Sequence, residues 1–435
     1  MKPLDTRLVR QHAAPIRHRP LGLLLAAIVC AAWPAQPAAA GDWPQILGPH
    51  RNGQADEEHL LTAWPAGGPA VAWQCEVGSG FAGVAVEKSS AVVFYRRATE
   101  LVAEARQVAT GEPLWKVTFP TRYASTISAD DGPRCVPVIS AGLVYLLGPG
   151  GELQCVTLDT GKRVWFRNLY QDFKAPEGYF GAGSSPLVEG GKLLVNVGGK
   201  GAGLVALALA DGKTQWQATD ELASYSSPIA ATIDGVRHVI FVTRLSVVSV
   251  DAETGAVRFR FPFGARGPTV NAANPLILGD HLFVSASYGV GAVWAEITRS
   301  GAREIWARED VMSSQYTTCV ASDGLLYGID GRQDVGVARM RCFDPRGPKV
   351  LWTREGFGTG NLILADGKLL AMKTDGELLL LDPTPRAFSR LASAKVFDDT
   401  VQALPALADG RLLVRDTKTL KCLTVGGAAG ARPSP

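Results

Sequence analysis

Residues 153–166 decide the fold: an apolar run from Leu153 to Leu158, then Asp159-Thr160-Gly161-Lys162, then Val164-Trp165-Phe166. Short apolar segments on either side of a glycine-bearing turn read as two strands of an antiparallel hairpin. Glycine suits the turn because it takes positive φ at no steric cost. Working back, Leu143 to Leu147 is another apolar run, separated from Leu153 by Gly148-Pro149-Gly150-Gly151. Cys135 to Ile139 is a third, ended by the turn Ser140-Ala141-Gly142. Together these make a meander of short strands.

The same grammar recurs along the chain. Gly111 precedes Trp115, Gly161 precedes Trp165, Gly212 precedes Trp216 and Gly255 precedes Phe259; Gly301 and Gly347 precede Trp306 and Trp352. These glycines lie 50, 51, 43, 46 and 46 residues apart. A repeat of about 40–50 residues holding four strands is the signature of a propeller blade. Each aromatic falls early on the outermost strand, where a large ring can fill the wedge between neighbouring blades. Such burial is worth roughly 1.5–3 kcal/mol. Trp115, Trp165, Trp216, Phe259, Trp306 and Trp352 are therefore read as blade-docking residues, with Trp73 as a further one.

Units run over 82–118, 134–168, 184–218, 227–261, 272–308, 316–354 and 360–392. In the seventh, Phe388 stands where the others carry their docking aromatic. An eighth begins at Val401 and supplies only three strands, ending at Leu420 to Val425. Val71 to Cys75 is an orphan fourth strand with Trp73 in place. Pairing it with the last unit closes the ring and removes exposed sheet edges. The expectation is an all-β, eight-bladed β-propeller of four-stranded antiparallel blades over 71–425, closed by an N-terminal strand completing the last blade.

The remaining segments read differently. Lys2, Arg7, Arg10, Arg17 and Arg19 precede the apolar run Leu21 to Ala32, and Ala38-Ala39-Ala40 is a small-residue cleavage site. Residues 1–40 are expected to be a secretory signal peptide, cut after Ala40. The run is shorter than the roughly 20 residues of a membrane-spanning helix. Val29 is too bulky for a lipid-attachment site at Cys30. Residues 41–70 form an N-terminal extension, and 426–435 a flexible tail. The leader carries five Lys/Arg and one Asp, so the chain's net charge of +3 becomes −1 without it. That balance favours neither nucleic acid nor an anionic membrane as partner. Export leads to the periplasm or the extracellular space and permits disulfides. Of the six cysteines that remain, Cys75 and Cys422 would join the closing blade, although a simple hairpin register leaves them about three residues out of line.

Trp43-Pro44-Gln45, Gly48-Pro49 and Arg51-Asn52-Gly53 resemble the N-terminal motif of secreted bacterial proteins with PQQ-like propeller repeats, a planctomycete-type group. Ser184-Ser185-Pro186-Leu187-Val188, Gly198-Gly199-Lys200-Gly201, Ser224-Tyr225-Ser226-Ser227-Pro228, Val270 to Pro275 and Tyr327 to Gly331 are similar to successive segments of the same group. The repeat is shared with quinoprotein alcohol dehydrogenases and with the propeller lipoprotein of the outer-membrane assembly machine. The dehydrogenase resemblance would imply PQQ and calcium. That family uses adjacent cysteines beside the quinone, however, and no two cysteines are adjacent here. No C-x-x-C-H haem motif is present either.

Other motifs favour bland readings. Gly78 to Gly83 spells G-x-G-x-x-G but leads into strand-like Val84-Ala85-Val86, where a dinucleotide fold needs a helix. Gly198 to Gly203 lacks the ending of a phosphate loop and reads as a hairpin. His50, His59, His238 and His281 have no metal-ligand spacing, so no metal site is expected. Glu57-Glu58-His59 reads as a solvated charged run. Asp130-Asp131 and Asp398-Asp399 read as turn caps, with calcium at a blade entrance as the alternative.

The remaining candidates are geometric. Loops entering the innermost strands line one mouth of the central channel, and loops on a rigid scaffold often carry function. They hold Tyr179, Phe180, Tyr225, Ser226, Asn271, Asn274, Gln315, Tyr316 and Asn361. Aromatics mixed with amides and hydroxyls suit a polar neutral ligand or a peptide. The leading expectation is a non-catalytic monomeric scaffold that binds a protein or a polar small ligand. The alternatives are a PQQ- and calcium-dependent dehydrogenase of alcohols or sugars, and an outer-membrane protein assembly scaffold.

Overall fold

The computed structural model describes residues 41–427. The expected leader, with Cys30 and the cleavage point, and residues 428–435 of the expected tail lie outside the described residues. The described chain is an eight-bladed propeller. From blade 1 to blade 8 the innermost strands are Ala85–Glu87, Val138–Ser140, Leu187–Glu189, Ile229–Ile233, Leu276–Leu278, Val320–Ser322, Gly360–Ala365 and Ala406–Ala408. Each starts an antiparallel meander; in blade 2 it continues through Leu143–Leu147 and Glu152–Thr157 to Arg163–Asn168. The short Leu169–Phe173 is the one α-helix among the described residues.

The eighth blade is completed by Ala70–Glu76, which pairs antiparallel with Thr419–Thr424. Trp73 lies opposite Cys422 and Cys75 opposite Leu420, so the two cysteines are offset along the ladder. Both are free, as are Cys135, Cys155, Cys319 and Cys342, so the pairing that the register already disfavoured does not form. A buried guanidinium reinforces the seam. Arg415 of blade 8 donates to Phe94 O (3.1 Å), Gly78 O (2.6 Å) and Gly80 O (3.1 Å) of blade 1. The G-x-G-x-x-G stretch thus supplies carbonyls to the ring closure.

The recurrent glycine and the recurrent indole meet across blade boundaries. Trp73 Nε1 donates to Val108 O (2.7 Å) in the next blade, Trp115 to Leu158 O (2.7 Å) and Trp165 to Leu209 O (2.8 Å). Trp216 donates to Ala252 O (2.9 Å), Trp306 to Pro345 O (2.7 Å) and Trp352 to Thr384 O (2.9 Å). A Cβ on Gly161 would lie 2.6 Å from the Trp115 ring, and one on Gly212 would lie 2.8 Å from Trp165. Glycine is therefore needed both for the turn, with φ +67° and +69° at these two positions, and for the indole of the preceding blade. Phe259 has no N–H to donate and stacks on Phe261 instead, with centroids 6.3 Å apart. Phe388 meets Trp352 edge to face at 6.1 Å.

The expected 41–70 extension is woven into the ring. Gln54–Ala55 adds a parallel strand to the inner edge of blade 7, and His59–Leu60 pairs with Gly426–Gly427. The first residues of the expected tail are therefore strand.

Candidate functional site

A four-stranded meander places the turn after its innermost strand at one end of the channel. The loop entering that strand lies at the other end, together with the turn between the second and third strands. The two ends of this propeller have different contents.

The turn end is filled by residues 42–60. Lys88 N donates to Asp42 Oδ1 (2.6 Å) in the first turn of blade 1, and Trp43 bridges Val86. Ile139 N donates to Pro44 O (2.8 Å) in blade 2. The segment then dips along the axis. Arg51 donates from Nη1 to Pro186 O (2.8 Å) and from Nη2 to Ser185 O (2.9 Å) of blade 3, and it is held from behind by Gln45 Oε1 (2.9 Å). His50, Arg51 and Asn52 face Ile229 and Ala230 of blade 4 and Leu276 and Ile277 of blade 5 across a cavity of about 70 Å³. Gln54 Nε2 donates to Ala321 O (2.9 Å) of blade 6, and Leu364 N of blade 7 to Gly53 O (2.8 Å). Glu58 Oε2 accepts Gly410 N (2.7 Å) of blade 8. The segment hydrogen-bonds to blades 1, 2, 3, 6, 7 and 8 and faces blades 4 and 5 across the cavity.

Its key side chains are sequestered, with Trp43 1% exposed and Arg51 2%. Burial pushes the Arg51 pKa down to about 9, so the guanidinium stays charged at neutral pH. Glu58 is 5% exposed, which corrects its reading as a solvated residue. Burial raises its carboxyl pKa, two backbone N–H groups oppose that rise, and the Asp409 carboxylate adds to it.

Above the plug, a belt of hydrogen bonds links the loops entering the innermost strands. Ser185 Oγ accepts Val136 N (2.8 Å), Ser227 Oγ accepts Ser185 N (2.9 Å), Asn274 Oδ1 accepts Ser227 N (2.8 Å) and Thr318 Oγ1 accepts Asn274 N (2.9 Å). Thr317 Oγ1 continues it to Gly360 O (2.6 Å). The residue before each proline in the Ser-Pro and Asn-Pro steps therefore joins neighbouring blades.

The nine mouth candidates fall into three groups. Phe180 and Tyr225 form an aromatic pair over blades 3 and 4, with Tyr179 exposed beside them in sequence. Phe180 N donates to Tyr225 Oη (2.7 Å), their rings meet edge to face at 5.6 Å, and the Arg134 guanidinium lies 5.5 Å from the Phe180 ring. Ser226, Asn271 and Asn274 are buried in the scaffold. Asn271 Nδ2 donates to Thr243 O (2.8 Å), and its carbonyl accepts Tyr225 N and Ser226 N (both 2.9 Å). Gln315 and Tyr316 join a polar network: Gln315 Nε2 reaches Tyr288 Oη (3.1 Å) and Asp334 Oδ1 (3.1 Å), while Tyr316 Oη donates to Gln333 Oε1 (3.0 Å). Gln402 also donates to Gln333 Oε1, and Asn361 Nδ2 reaches Gln402 O (3.5 Å). The nine residues do not converge on one pocket.

A cavity on this face falls outside the nine candidates. It is an open cleft of about 810 Å³ between blades 5 and 6, walled by Tyr288, Glu309, Asp310, Asp330, Arg332 and Arg339 among others. Most of its charges are paired with neighbours. Asp330 is held by Arg339 (2.7 Å) and Arg341 (3.3 Å), and the Arg332 guanidinium lies 4.3 Å from the Tyr288 ring centroid. Val335 and Val337 stand on its rim, 56% and 57% exposed. Ile127, Tyr179 and Leu222 are further exposed apolar residues in loops of the same face. The hairpin Leu325–Arg332 and Val337–Asp344 lies within the unit read over 316–354, but nothing local marks its tip as one wall of a cleft.

Asp130 and Asp131 act as caps: Asp130 accepts Gly80 N and Gly132 N (both 2.8 Å), and Asp131 accepts Ser125 N (2.7 Å). Asp399 instead forms an exposed ion pair with Lys418 (2.7 Å). Among the described residues no group of three or more His, Cys, Asp or Glu side chains is placed to hold a metal ion. No helix among them is long and apolar enough to cross a membrane.

Residues 62–170 and 98–341 match the family described as outer membrane protein assembly factor BamB, over more than half of the 435-residue chain. The chain belongs to that family. It is 25% identical over 312 residues to BamB of Salmonella typhimurium, covering 65% of this chain and 71% of that protein. The crystal structure of BamB from Moraxella catarrhalis superposes with a TM-score of 0.60 at 14% identity, over 82% of this chain and 99% of that one. A quinohemoprotein alcohol dehydrogenase from Comamonas testosteroni gives 0.65 at 15% identity, over 92% and 82%. Both structural likenesses concern the fold, and the expected PQQ-like propeller superfamily stands. Of the three functional expectations, the relatives support the assembly scaffold better than an unspecified ligand-binding propeller.

Proposed function

We propose that this chain is a non-catalytic periplasmic scaffold in outer-membrane protein assembly, and that it holds a partner protein on its loop face. The family match across most of the ring carries the reading. Two features of the molecule support it. The turn end is filled by the chain itself, which leaves the loop face for a partner. That face carries exposed Tyr179, Leu222, Val335 and Val337 around polar groups, a composition suited to a protein surface. The test is co-purification of the tagged full chain from its native envelope. Outer-membrane barrel proteins or their assembly machinery should come with it, and V337D should lose them. A wholly free soluble pool, with barrel levels unchanged on gene deletion, would sink the reading.

The fold shared with a quinohemoprotein dehydrogenase keeps a second reading testable. The donor set argues against it: no adjacent cysteines in the sequence and no metal-ligand cluster among the described residues. Stoichiometric retention of PQQ with calcium, together with dye-linked alcohol oxidation, would favour the dehydrogenase instead.

A further inference from the structure

We propose that the channel wall is a peptide-binding groove, occupied in cis by residues 43–60 of the same chain. Its ligand class is a turn-rich peptide carrying an indole and, eight residues later, a guanidinium, as Trp43 and Arg51 do on either side of the turns closed by Gly48 N to Gln45 O and Arg51 N to Gly48 O.

The ring does not need the segment for its sheets. All eight blades have four strands from residues 70–424, and the segment only adds to edges. The innermost strand of a blade has one edge facing the axis, and such an edge is a template for strand addition. The segment uses three of these edges. Trp43 bridges Val86 in blade 1, Pro44 O accepts Ile139 N in blade 2, and Gln54–Ala55 runs parallel to Leu364–Ala365 in blade 7.

The segment's shape comes from the groove. Leu47, Arg51 and Glu57 sit at φ +58°, +55° and +56°, a conformation that L side chains rarely adopt. Such residues persist only where the surroundings over-determine them. One glycine marks the tightest contact with the groove: a Cβ on Gly53 would lie 2.7 Å from Val320 Cγ1. Within the segment, a Cβ on Gly48 would lie 2.7 Å from the Trp43 ring, so the turn packs on its own indole. The anchors are discrete: one buried indole, one guanidinium on two carbonyls, and one carboxylate on the Gly410 amide. The link to the ring is exposed at Thr62 and Ala63.

That link allows the test to use the whole folded chain. A site-specific protease sequence is inserted between Thr62 and Ala63, the folded protein is cut, and gel filtration follows the N-terminal fragment. The fragment should co-elute with the ring. A fluorescent synthetic peptide of residues 41–60 should exchange into the cut protein but not into the uncut one. R51M should speed fragment loss at least tenfold, and G53A should also speed it, while the ring keeps its strand circular dichroism. A ring that unfolds on cutting would overturn the proposal, because the groove would not be preformed. A fragment that leaves at once with the melting temperature unchanged would overturn it too. Either failure leaves the scaffold reading intact, since that is tested by envelope co-purification of uncut protein.

Discussion

The two ends of the channel are built from the same eight sheets and differ in what covers them. At the turn end, one segment of about twenty residues places an indole, a guanidinium and a carboxylate out of water and hydrogen-bonds to blades 1, 2, 3, 6, 7 and 8. At the loop end, charged groups pair among themselves around an open cleft, and apolar side chains stand in solvent. Repetition alone would make the ends alike. The difference shows that a single non-repeating segment can fill one end of the ring and leave the other open.

Trp43→Ala should break the contrast most. The indole is buried in the core between blades 8 and 1, and its loss should cost about 3–5 kcal/mol in denaturant unfolding. Arg51→Met comes next. It leaves the Ser185 and Pro186 carbonyls without their donor, for an expected loss of about 2–3 kcal/mol. Asn271→Ala tests the loop end from within. Its side chain bonds to Thr243 O and is buried, so stability should fall by about 1–2 kcal/mol while partner binding is retained. Val337→Asp should do the reverse, changing stability by no more than about 0.5 kcal/mol while abolishing partner capture.

A pH measurement sharpens the comparison further. Burial raises the folded pKa of Glu58 above its ordinary value of 4.5. The protonated carboxyl therefore suits the folded state better. Its contribution is fully present below 4.5 and is lost as pH rises through the folded value. Asp42 and Glu87 shift in the same direction, also chiefly by burial. The unfolding midpoint of the native protein relative to Glu58→Gln should accordingly fall as pH is raised from 4.5, and then level off. A difference that does not vary with pH would remove Glu58 from this account.

Legibility followed the range of the interactions. Strand runs, glycine turns and docking aromatics repeat within a window of fifty residues, so their period was readable, as was the missing fourth strand supplied from 71–75. Eight of the nine mouth candidates lie in loops and Asn361 lies inside the strand Gly360–Ala365, and side-chain type did not tell the exposed Tyr179 from the buried Asn271. The cleft escaped notice because its walls come from loops of two blades. Glu57-Glu58-His59 looked uniformly solvated, yet only its middle residue meets an amide 352 positions away.

By itself the sequence determined a ring of eight antiparallel blades, its strap-like closure by the first blade strand, and the indoles between blades. It could do so because each depends on residues close in the chain or on a repeated unit. Tertiary structure alone decided that Trp43 to Leu60 would fill the channel and which face would remain open. The bond from Arg51 to Pro186 spans 135 residues and recurs nowhere, so no local pattern announces it. It forms because an inward strand edge and two free carbonyls appear only after the ring has closed.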